Sequence, residues 1–232
     1  MVNEILYEDN HIIIVNKLPG DLIQADVFEG KTLRDDVKEY IKEKYGKPGS
    51  VFLGVVHRLD RPVSGAVMFA RTSKALTRLN ELLRLHQIKK TYWAIVDQPP
   101  PTQEGRLENY LRKDKEKNKS FVVKSDTKGG LLARLSYRLL MSSDRYHLLE
   151  IELETGRHHQ IRTQLANIGC KIKGDLKYGS PRSNPDGSIC LHSRKLEFIH
   201  PVKQESVTIV ASTLSDPLWK FFEKAMTNPI QP

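Results

Sequence analysis

Cysteine is scarce in this chain: Cys170 and Cys190 are the only two, and they form no C-x-x-C pair. A disulfide framework is therefore not suggested, and a reducing cytoplasm is the simplest setting. Long apolar runs are lacking too, so no segment approaches the length of a membrane span. The opening Met1–Asn10 carries Glu4, Glu8 and Asp9 and has no apolar core, unlike a signal peptide. Acidic side chains are the minority charge, 28 against 37 basic ones, for a formal net charge of +9. That excess favours an anionic partner such as nucleic acid, and speaks to association rather than fold.

With 232 residues, 39% of them hydrophobic, the chain can bury an ordinary core, and one domain over residues 1–232 is expected, with two lobes allowed. Ile5–Tyr7 and His11–Asn16 flank a Glu-Asp-Asn turn and read as a hairpin. Leu33, Val37, Tyr40 and Ile41 mark one face of a helix over 32–44. Val51–Val56 reads as a strand leading into a turn, and 66–70 as a compact strand. Ser73 is the expected cap of a helix carrying Leu76, Leu79, Leu82 and Leu83. Lys89–Val96 suits a half-buried strand. Segments 105–111 and 121–124 bracket a charged tip over 112–119, a candidate phosphate contact. The runs 131–141 and 146–154 read as an antiparallel pair. Ile161, Leu165 and Ile168 repeat at helical spacing, with Thr155 as a plausible cap and Gly169 beyond the end. Segment 180–188 reads as a loop, 206–211 as a last strand and 217–226 as a closing helix.

Three stretches carry chemistry-bearing residues. In His57-Arg58-Leu59-Asp60-Arg61-Pro62-Val63-Ser64-Gly65 a carboxylate sits among arginines, beside a proline and a glycine; taken alone it is an ordinary salt-bridged acid. Tyr92, in Lys90-Thr91-Tyr92-Trp93-Ala94-Ile95-Val96, reads as packing. In Thr155-Gly156-Arg157-His158-His159-Gln160-Ile161-Arg162, Arg162 either reaches inward or snorkels. Neighbouring side chains on a helix point apart, so His158 and His159 do not suggest a metal site. A carboxylate glycoside hydrolase would want a second acid near Asp60, but Glu152 and Glu154 fit a solvent-facing strand.

Together these stretches resemble signatures of the RluA-type pseudouridine synthases, H-R-L-D-x-x-[TS]-S-G, K-x-Y-x-A-x-V and T-G-R-x-H-Q-I-R, in the family's order. Ile172–Gly179 resembles the family's G-D-x-x-Y-G turn, and Leu191-His192 its final strand region. Val63 replaces a common Thr, and Thr163-Gln164 stand where Val-His is frequent. The resemblance implies an α+β fold with a mixed, mostly antiparallel sheet, flanking helices and a central cleft. It implies isomerisation of uridine to pseudouridine in structured RNA, ribosomal or transfer. Asp60 would be a buried nucleophile, Tyr92 the general base and Arg162 the partner of Asp60. Arg58, Lys90, Arg157, His159, Gln160 and Leu191 would contact substrate. No cofactor, metal or membrane is implied, and a cytoplasmic monomer is expected. The rival expectation is an RNA-binding module that keeps the fold without turnover.

Overall fold

Ile12-Ile13-Ile14-Val15 is a run of β-branched residues with no exposed surface, and the first half of the fold is built around it. The computed structural model describes residues 4–24 and 30–227. Contacts divide the chain into two units, residues 1–89 with 193–212, and residues 90–192 with 213–232.

In the first unit, β2 (Ile12–Lys17) pairs antiparallel with β1 (Ile5–Glu8) on one side and β4 (Ser64–Ala70) on the other. Segment 193–199 of β10 (Leu191–Ile199) follows β4 and pairs with β11 (Ser206–Val210). Successive strand residues face opposite sides, so β2 serves two cores. Ile12 and Ile14 join Met68, Leu79, Leu196 and Phe198, while Ile13 and Val15 join Val37, Ile41, Val67 and Phe69. Helix α1 (Leu33–Lys44) thus lies on one face and α2 (Ser73–Arg84) on the other. Each fully buried Ile or Val is worth about 2 kcal/mol relative to exposure.

The α1 boundary agrees with the apolar spacing: Thr32 and Asp35 form a capping box. Two local expectations need correction. The cap of α2 is Thr72, whose hydroxyl accepts from Ala75 N at 3.1 Å, so Ser73 is already helical. The strand expected over 51–56 shrinks to β3 (Gly54–Val55). Val51 and Leu53 instead bury in the core beneath α1.

The second unit is an antiparallel series β5-β9-β8-β6-β7, comprising β5 (Lys89–Val96), β6 (Glu104–Asp114), β7 (Lys119–Val123), β8 (Leu131–Ser142) and β9 (His147–Leu153). Arg106–Glu154, Arg134–Glu108 and Arg138–Glu150 pair across it at 2.9, 2.7 and 2.9 Å, solvated pairs worth little individually. Helix α3 (Gln160–Asn167) packs on β6 and β7. Helix α4 (Pro217–Thr227) buries Trp219 and Phe222. Segment 180–188 has no regular element, as expected, yet Ser180, Asn184 and Ser188 are buried. Mostly antiparallel strands with flanking helices agree with the expected fold class. Among the described residues no helix is long and apolar enough to cross a membrane.

Candidate functional site

Asp60 lies in the irregular stretch between β3 and β4 and is half-buried rather than enclosed. Its carbonyl accepts from Val63 N at 3.0 Å, closing a tight turn over Asp60–Val63. The turn is tied to the end of β2. Lys17, fully buried, donates from Nζ to the carbonyls of Leu18, Arg61 and Val63 at 2.8, 3.0 and 2.7 Å. Gly20 N donates to Arg61 O at 2.8 Å, and Arg61 Nε returns a bond to Gly20 O at 3.1 Å. Burial draws the Lys17 ammonium down to about 8, against the charges of Asp21 and Asp60, which favour its protonated form. At the far end of the turn Gly65 has φ +109°, and a Cβ there would stand 2.4 Å from Ser193 O. Only glycine fits that approach. Arg58, two residues before Asp60, is exposed. His57 Nε2 accepts from Met68 N at 3.2 Å, which makes it part of the scaffold.

The other sequence-derived site residues belong to the second unit. Tyr92 sits on β5 opposite Ile151 and is 5% exposed. Lys90, two residues earlier on the same strand face, is half-buried, and burial lowers its pKa. Its Nζ is 3.8 Å from where a Cβ on Gly156 would stand, so the Thr-Gly-Arg stretch passes close to it. Leu191 is buried at the start of β10.

Helix α3 begins later than its apolar spacing suggests. Its N-cap is His159 in the left-handed conformation, φ 52°, with no side-chain cap bond, so Thr155 is not the cap. Thr155 Oγ1 instead donates to Gln160 Oε1 at 2.7 Å, and Arg157 N donates to the same oxygen at 2.9 Å. Gln160 Nε2 donates to Arg134 O at 3.0 Å. Gln160 is thus engaged in shaping the loop. Arg157 is exposed, with Nε on Leu132 O at 2.9 Å.

Because the helix starts at Gln160, His158 and His159 lie in the preceding turn and do not splay apart. Their rings stack at 3.8 Å with an interplanar angle of 22°. His158 contacts Ser120 Oγ at 2.9 Å and Asn118 Oδ1 at 3.1 Å. His159 Nδ1 lies 3.0 Å from Tyr178 Oη. Burial, reinforced by the charge of Arg162, draws His159 down to about 2, so it stays neutral. These contacts fasten the β6–β7 hairpin, with its basic tip, to α3. Lys177 adds a bond from Nζ to Asn118 O at 3.1 Å.

Arg162 reaches inward and is 5% exposed. Its Nε and Nη2 donate to the two carboxylate oxygens of Asp175 at 2.7 and 2.8 Å. Asp175 belongs to the Gly-Asp turn over 174–179, and sequence reasoning gave it no role of its own. The signal available was its place in the G-D-x-x-Y-G pattern. Lys17 was missed likewise, because Lys-Leu-Pro-Gly reads as a strand breaker. The arrangement supplies a carboxylate on a braced turn in one unit, and in the other a buried guanidinium, a strand tyrosine and a half-buried ammonium.

Residues 11–167 match the family model described as RNA pseudouridylate synthase. The ribosomal large subunit pseudouridine synthase C of Buchnera aphidicola is 34% identical over 218 residues, 91% of this chain and 67% of that protein. The tRNA pseudouridine synthase C of Yersinia pestis is 31% identical over 232 residues, covering 90% and 85% respectively. Among solved structures, human RNA pseudouridylate synthase domain containing 4 superposes with a TM-score of 0.77 at 23% identity. It covers 97% of this chain and 93% of its own, a likeness in fold.

Proposed function

The chain belongs to the RNA pseudouridylate synthase family, and on that premise we propose that it isomerises specific uridines of structured RNA, ribosomal or transfer, with Asp60 as nucleophile and residues 1–232 acting as one catalytic domain. The relatives' names supply the two RNA classes. The net charge of +9 suits either.

The reaction is intramolecular. The bond from N1 to C1′ breaks, C5 of the same base joins C1′, a proton leaves C5, and N1 ends protonated. An aspartate nucleophile must be ionised and aimed, and a guanidinium beside it favours the charged form. Arg162 is the proposed partner of Asp60. Tyr92 is the proposed base for the C5 proton; a tyrosine near its usual pKa of about 10 would need the pocket to assist. A uridine in a helix or loop stack has to swing out to reach such groups, and exposed Arg58 is suited to filling the space left behind. Lys90, Arg157, His159, Gln160 and Leu191 are the proposed substrate-side residues, with Gln160 acting through the loop it shapes.

The observation that carries the reading is the bracing of the Asp60 turn by Lys17, three bonds from one buried ammonium. Fixing a reacting group in this way is what catalysis by orientation requires. The test is Asp60→Asn. Pseudouridine mapped in total RNA should lose one site or set of sites in cells carrying only that variant, while the purified variant binds RNA as the wild type does. Undiminished modification would refute the nucleophile assignment, and a wild type that leaves every uridine unchanged would favour the RNA-binding reading.

A further inference from the structure

The turn over 174–179 grips Arg162 from two directions. Asp175, 1% exposed, takes the guanidinium side-on through Nε and Nη2. The guanidinium lies over the Tyr178 ring, with Cζ 5.1 Å from the ring centroid, within cation–π range. The turn is itself locked. Asp175 N donates to Ile172 O, and the carbonyl of Asp175 accepts from Tyr178 N and Ser180 N, all at 3.0 Å. Gly174, at φ +88°, leaves no space for a side chain, since a Cβ would stand 2.7 Å from Ser188 O. Tyr178 Oη accepts from Ser120 N at 2.8 Å.

A guanidinium is planar, with five N–H donors in a fixed fork. Binding Nε and Nη2 on one edge determines where the Nη1 end points. We propose that the 174–179 turn is a positioning device for Arg162, with Asp175 binding one edge of the guanidinium and the Tyr178 ring packed against it, so that the Nη1 end is held in one direction. Asp175 acts through Arg162 and touches no substrate. The inference rests on the pairing of Asp60 with Arg162 proposed above. Its physical advantage is preorganisation: a long side chain already held in one rotamer loses little freedom when it meets its partner.

The experiment measures single-turnover pseudouridine formation and RNA affinity separately, using total RNA from cells lacking the gene. Asp175→Asn should slow turnover about 100-fold, the scale of a small misplacement of a reacting group, while affinity stays at the wild-type value. On an Arg162→Lys background it should add nothing further, because the group it positions is gone. Tyr178→Leu should slow turnover by a smaller factor. If Asp175→Asn turns over normally while Asp60→Asn is dead, the positioning role is overturned and the nucleophile reading stands. Equal losses on both backgrounds overturn it also. An active Asp60→Asn would remove the reading itself.

Should Asp175→Asn fail to fold, the decision passes to the Arg162 Nε–H signal in Asp60→Asn protein. Slow hydrogen exchange there, with Asp175 as the remaining carboxylate, supports the device. Exchange as fast as that of an exposed arginine overturns it.

Discussion

Lys17 Nζ donates to the carbonyl of Val63 at 2.7 Å, across 46 residues of sequence, and with its bonds to Leu18 and Arg61 it joins the end of β2 to the turn carrying Asp60. Lys17→Met keeps the length of the side chain and removes the donor. Leaving buried carbonyls unpaired costs about 3 kcal/mol. Urea unfolding should show a loss of that order, and turnover should fall more than RNA affinity does.

Gly65 provides a second, independent test of the same turn. Alanine there has to adopt φ +109° and would place its Cβ 2.4 Å from Ser193 O, a contact with backbone that cannot swing away. Gly65→Ala should destabilise by at least about 3 kcal/mol, since backbone strain and steric overlap add. A melting temperature within a degree or two of wild type would contradict the geometry.

His159 gives a prediction about pH. Its folded pKa is drawn from 6.5 down to about 2 by burial and by Arg162. Below pH 6.5 the unfolded chain therefore takes up a proton that the native protein refuses. Its stabilising contribution is complete above about 6.5 and is lost progressively as pH falls towards 2. The slope approaches about 1.4 kcal/mol per pH unit. Urea midpoints at pH 7 and pH 5 should differ more in wild type than in His159→Gln, and the difference between the two proteins isolates this one group.

Thr32 closes α1 through a reciprocal pair, its hydroxyl accepting from Asp35 N and Asp35 Oδ2 accepting from Thr32 N at 3.1 Å. Thr32→Ala should cost about 1 kcal/mol. Thermal unfolding should report that loss with no change in RNA affinity, since the capping pair is confined to the first turn of α1, which carries none of the proposed site residues.

Much of the fold was legible because it obeys the two simple periods. Ile12–Val15, the Leu33–Val37–Ile41 face and the 131–141 and 146–154 pair all appear where alternation or helical spacing put them. The failures have separate local causes. Thr72 and Ser73 are both good caps, and the extended backbone at Thr72, with its hydroxyl accepting from Ala75 N, makes Thr72 the cap. The α3 entry was misplaced because His159 takes a left-handed conformation that composition does not announce. Asp60, Tyr92 and Arg162 stand out as site candidates through motif resemblance rather than periodicity. Asp175 and Lys17 escaped because their roles depend on long-range partners, Arg162 thirteen positions away and Val63 forty-six.

The first unit draws Leu196, Phe198, Val207, Ile209 and Ala211 into the same core as Ile12, Ile14 and Leu79, although more than a hundred residues of the other unit intervene in the chain. During synthesis, the opening segment therefore leaves the ribosome without the strands that finish its interior. Its apolar face has to wait, shielded or at risk of clumping, until residues 193–212 emerge. A truncated 1–89 product would be permanently in that condition.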